Sequence, residues 1–72
     1  MNKENMIDIY NRTFNNCVFY KGKGDNKHLL NEIGVLRGIV YCIESIIGEE
    51  NLNNVIDFHL FVDMINTQNQ LY

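Results

Sequence analysis

The sequence has no alanine, no proline and no tryptophan, only one serine, and two cysteines among its 72 residues. Cys17 and Cys42 stand too far apart and too alone to form the disulfide framework on which small secreted domains rely. Basic residues are also scarce. Six Lys and Arg against nine Asp and Glu leave a net charge of −3, which opposes non-specific binding to nucleic acid because phosphate neutralisation needs a basic surface. The excess is too mild for a DNA mimic. A long hydrophobic run is missing as well: the best candidate is interrupted by Asn31, Glu32, Arg37 and Glu44, so no transmembrane helix is expected. The opening MNKENMIDIY lacks the apolar centre of a signal peptide, and the expected location is the cytoplasm, with both thiols reduced. The absent residue types, set against abundant Asn and Ile, fit codons drawn from an AT-rich genome such as that of a low-GC bacterium or one of its phages.

What the sequence does have is one dominant stretch, Leu29 to Ile47. Laid on a helix, Leu29, Ile33, Leu36, Val40, Ile43 and Ile47 alternate three- and four-residue steps and share one face. Val35, Ile39, Cys42 and Ile46 form a second apolar stripe beside it, and Gly34, Gly38 and Ser45 make a shallow track next to that. Apolar over about half its circumference, this helix is expected to be the central one, sandwiched between two neighbours. Each glycine costs a helix about 1 kcal/mol relative to alanine. Close approach of another helix backbone, or of a ligand, is the expected compensation, since a missing side chain lets a neighbour come nearer.

A first helix is expected over residues 3 to 16, capped by Asn2 or Asn5, with Ile7, Tyr10, Phe14, Cys17 and Val18 inward and Asp8, Asn11, Arg12 and Asn15 outward. The β-prone run Cys17 to Tyr20 leaves a second possibility, an α+β fold with a short N-terminal hairpin. The clear break in the chain is Lys21 to Asn26. Asp25 or Asn26 should cap the central helix, about residues 27–47, and Gly48 should end it. From Asn51 a third helix would carry two stripes, Val55, Phe58, Val62 and Ile65 on one and Ile56, Leu60 and Met64 on the other. The segment also alternates like a strand between Ile56 and Met64, but it runs too long without Gly or Pro for a usual strand.

The connector holds the most suggestive chemistry. Lys21, Lys23, Lys27 and His28 cluster around two glycines just before a helix N-terminus, where free N–H groups and the helix dipole favour an anion, and Arg37 is a further candidate cation. No P-loop or dinucleotide glycine pattern accompanies them, and a solvated turn is the ordinary meaning of such a stretch. Cys17, His28, Cys42 and His59 supply zinc-ligand types without zinc-motif spacing, and Cys42 belongs to the apolar stripe, so no metal is expected. His59 and Asp63 sit one turn apart, a pattern that usually marks a solvated face. Ser45 has no histidine at helical spacing to activate it. Arg37 and Glu44, seven residues apart on the narrow polar strip, are too far apart to pair within one helix; they are expected either to pair across a subunit boundary or simply to stay solvated. Most of the aromatics are expected in the core, with Tyr20 and Tyr41 available to an interface.

Together these readings predict a single all-α domain over 1–72, three helices around a long central one. Surplus apolar surface predicts a homodimer, formed through Gly34, Gly38 and Tyr41 or through the Ile56–Leu60–Met64 stripe. No catalytic constellation and no cofactor motif is present, so an enzyme is not expected. The function that remains is a small binding protein from a phage or mobile element that occludes a host defence or regulatory protein. The alternative is an oligomeric sponge for a phosphate-bearing nucleotide, held by the connector cations.

Overall fold

The computed structural model describes residues 3 to 72; the expected cap at Asn2 lies outside the described residues, and Asn5 falls inside the first helix. Three α-helices follow one another: α1 at Lys3–Lys23, α2 at Asn26–Ile47 and α3 at Phe58–Leu71, with a 3₁₀ turn at Glu49–Asn54 between the last two. No strand occurs among the described residues. The all-α expectation holds, and the N-terminal hairpin and the Ile56–Met64 strand are set aside.

α1 runs a full two turns beyond the expected end. Cys17 lies seven residues after Tyr10, on the same helical face, and both are buried at 0% and 4% exposure, so continuing the helix keeps both in the core. The connector therefore shrinks to Gly24 and Asp25. Gly24 takes a φ of 69°, while its N–H donates to the Lys21 carbonyl at 3.2 Å and the Asp25 N–H donates to the Tyr20 carbonyl at 3.1 Å. These paired bonds satisfy the last carbonyls of α1, and the left-handed residue between them suits glycine. Asp25 then starts α2 at once, its carboxylate accepting from the His28 N–H at 3.3 Å. α2 ends where expected, at Gly48, with φ 86° and its N–H donating to the Glu44 carbonyl at 2.8 Å.

The inner face of α2 is the centre of the molecule. Leu29, Ile33, Leu36, Ile39, Val40 and Ile43 are buried, packed with Met6, Tyr10 and Cys17 of α1, Leu52 and Ile56 of the turn region, and Met64 of α3. The sandwich is incomplete, which corrects the expected second stripe. Ile39 is buried, but Val35 and Ile46 stand 52% and 53% exposed and Cys42 is exposed as well. The physical reason is that two helices, both applied to one half of α2, leave the other half without a neighbour.

The third helix also departs from expectation. Asn-rich Glu49–Asn54 forms a 3₁₀ turn rather than a helical start, and α3 begins seven residues late at Phe58, where Asp57 accepts from the Leu60 N–H at 3.1 Å. The break resets the helical phase. Ile56 and Met64 turn into the core, at 6% and 5% exposure, while Leu60 stays half exposed; as an outward interface stripe Ile56–Leu60–Met64 does not exist. Of the other stripe Phe58 and Val62 are exposed while Val55 and Ile65 are partly buried, so neither stripe is covered as a unit. Tyr41 is exposed, as expected of an interface residue, but the other aromatics are less buried than expected: Tyr10 is in the core, whereas Phe19, Phe58 and Tyr72 are exposed.

Candidate functional site

The turn between α1 and α2 gathers part of the expected anion cluster, but with its own anion already in place. Asp25 accepts from the His28 backbone and also meets His28 Nδ1 at 2.8 Å, so a carboxylate of the chain occupies the positive end of α2. The His28 N–H holds that carboxyl below its ordinary range. Tyr20 stacks on the His28 ring at 5.2 Å and Phe19 meets Tyr20 edge-on at 5.4 Å. The cations disperse around this turn. Lys23 lies over the Phe19 ring at 4.9 Å, Lys21 Nζ donates to Thr67 Oγ1 at 3.3 Å, Lys27 is exposed, and Arg37 Nη1 donates to Gln68 Oε1 at 2.8 Å. A phosphate entering here would have to displace Asp25.

The metal and nucleophile candidates do not converge. Among the described residues no group of three His, Cys, Asp or Glu side chains is placed to hold an ion. Cys17 is fully buried and burial pushes its thiol up to about 11, which removes the thiolate that a ligand or nucleophile needs. Burial likewise pushes Tyr10 up to about 12. Ser45 spends its hydroxyl on the Cys42 carbonyl at 2.7 Å. His59 and Asp63 are both exposed on α3, and the nearby Thr67 hydroxyl donates to the Asp63 carbonyl at 3.1 Å.

Two apolar surfaces remain, and they adjoin. The first is the outer face of α2, where Val35, Tyr41 and Ile46 are 52%, 67% and 53% exposed around Gly34, Gly38, Cys42 and Ser45. A methyl placed on Gly34 or Gly38 would meet nothing within 4 Å, so the close approach expected at these glycines is not made by any of the described residues. The second is a cleft of about 290 Å³ between α2, the 3₁₀ turn and α3. Arg37, Val40, Tyr41 and Glu44 form one wall and Phe58, Phe61, Val62 and Ile65 the other. Each wall repeats the helical i, i+3, i+4, i+7 spacing, which makes a groove running between two helices. Leu52 and Glu49 complete its lining.

Sequence reasoning placed Tyr41 at the surface and missed the role of Gln68. That residue is 5% exposed, buried because it lies four residues after Met64 on the same side of α3, and it is satisfied by Arg37. The signal was available in the Met64–Gln68 spacing, but Arg37 could be matched to it only once α3 was in place. No protein-family model, curated protein or solved structure matches this chain.

Proposed function

We propose that this chain is a non-enzymatic, homodimeric binding protein of phage or mobile-element origin, which works in the cytoplasm by covering a surface of a host defence or regulatory protein. One observation carries the reading: the outer face of α2 presents Val35, Tyr41 and Ile46 to solvent around Gly34, Gly38, Cys42 and Ser45, with Arg37 and Glu44 set only along its edge beside Tyr41. A helix face meant only for water carries charge. Exposed large side chains around small ones form the flat apolar centre that a protein interface needs, and tyrosine is favoured there for its area and polar tip. The alternative, a nucleotide sponge, has less support, because Asp25 already fills the α2 N-terminus and the connector cations point to separate partners.

The test is affinity capture from host extract with the wild-type chain and with Val35→Lys/Ile46→Lys, reading proteins and metabolites together by mass spectrometry. The wild type should retain one host protein near stoichiometry, and the variant, with unchanged helicity, should lose it. Equal retention by both, or no retained protein, overturns the reading. A co-eluting nucleotide in place of a protein would favour the sponge.

A further inference from the structure

We infer that the cleft between α2 and α3 is the surface on which a second copy of this chain docks, with α2 antiparallel to its counterpart and Arg37 of each copy paired with Glu44 of the other. The inference rests on the self-association proposed above and names its face and geometry. The first argument is charge. Arg37 and Glu44 line the same wall of the cleft, seven residues apart, or about 10 Å along the helix axis. Glu44 makes no side-chain hydrogen bond or ion pair among the described residues, and Arg37 gives one nitrogen to Gln68, leaving further N–H groups of its five.

A two-fold axis crossing α2 at the level of Val40 and Tyr41 sets Arg37 opposite the second copy's Glu44 and Glu44 opposite the second copy's Arg37. Two equivalent ion pairs form at once, as an isologous contact requires. A parallel pairing would instead face Arg37 with Arg37 and Glu44 with Glu44. The same axis brings the second copy's α3 across the cleft, so that exposed Phe58, at the Glu44 end, is covered by the Gln68 end of the second copy's α3.

The second argument is area. A standard interface covers roughly 800 Å² per partner, about a sixth of the chain's 4825 Å² surface. A contact of that size has to take in both walls of the cleft, α2 and α3 together. Tyr41, on the cleft wall, is covered in the dimer, whereas Val35 and Ile46 on the far side of α2 stay free for the occlusion reading.

The experiment is a charge swap read by light scattering and native mass spectrometry. Wild type should be dimeric at high micromolar concentration. Arg37→Glu alone and Glu44→Arg alone each place two like-charge pairs across the axis and should weaken the dimer about a hundredfold. An equimolar mixture of the two variants restores both pairs and should give a one-to-one heterodimer, and Arg37→Glu/Glu44→Arg in one chain should dimerise again. Recovery in the mixture also shows that the single variants are folded.

A monomeric wild type overturns self-association itself. Single variants that remain dimeric overturn this face while leaving self-association standing. A mixture that stays monomeric, with both variants helical by circular dichroism, overturns the Arg37–Glu44 pairing. None of these outcomes bears on whether a host protein is captured by the outer face of α2, so the two readings fail separately.

Discussion

The two sides of α2 are built from the same kinds of residue and meet opposite fates. On the inner side Leu29, Ile33, Leu36 and Ile43 are at 1% exposure or less, while on the outer side Val35 and Ile46 stand about half exposed. Intrinsic preference does not separate them, because valine and isoleucine occur on both. What separates them is how many neighbours a chain of this length can supply: α1 and α3 both settle on one half of the helix, and nothing is left for the other. A small domain has little surplus with which to cover a helix on all sides. The glycines make the contrast sharper, since Gly34 and Gly38 sit on the uncovered side with open space around them.

The comparison breaks most severely on the inner side. Leu36→Ala should destabilise by about 3 kcal/mol, since a buried leucine loses its transfer energy and leaves a cavity; urea denaturation followed by circular dichroism measures it. Alkaline pH attacks the same interior through Cys17 and Tyr10. Their folded values are raised from 9.0 to about 11 and from 10.0 to about 12, because burial disfavours the charged forms. The unfolded chain loses those protons first, so stability present below pH 9 should fall steadily between about pH 9 and 12. Replacing Cys17 by Val should flatten the early part of that fall in a series of thermal melts.

On the outer side the sign reverses. Gly34→Ala and Gly38→Ala meet no atom and should each stabilise the folded chain by up to about 1 kcal/mol through helix propensity alone, read as a rise in Tm at a concentration where the chain is monomeric. A destabilised double variant would mean that the glycines are in contact with something in solution.

At the junction of the two long helices Asp25→Ala should lower Tm through the lost cap. The Asp25 value is depressed in the fold, so its contribution is present at neutral pH, above the ordinary carboxylate range, and disappears as pH falls through the folded value. The wild-type and variant melts should therefore converge in acid. Smallest of all, Ile46→Thr should move stability by less than about 0.5 kcal/mol; a larger loss would place Ile46 in a buried environment and close the comparison.

The inner stripe of α2 was legible because a 3.6-residue period fixes which side chains share a face whatever the neighbours are. Its ends were legible too, since Asp25 and Gly48 act within a few residues of themselves. The length of α1 was less so. Cys17 to Tyr20 have strand preference, and only burial of Cys17 and Thr13 against α2 resolves it in favour of helix. The third helix was misread at its start because the side chain of Asp57 interrupts an apolar run whose pattern alone continues through it. In the helix that starts at Phe58, Met64 of one stripe and Ile65 of the other face the covered side while Leu60 and Phe58 face out, so neither stripe is buried whole.

The anion cluster shows the same limit at the level of chemistry. Lys21, Lys23, Lys27 and His28 are neighbours in the chain, yet Lys21 reaches across to Thr67 and Arg37 to Gln68, contacts that join positions 46 and 31 residues apart.

By itself the sequence determined that the chain is helical, that one long helix has a core face, and where that helix begins and stops. These follow from periodicity and capping, which act over one or two turns. The tertiary structure decided which of two apolar stripes on α2 is covered, which way α3 faces and that a cleft opens between them. Those depend on where two short helices come to rest on a third, and the number of neighbours available sets how much apolar surface is left for another molecule.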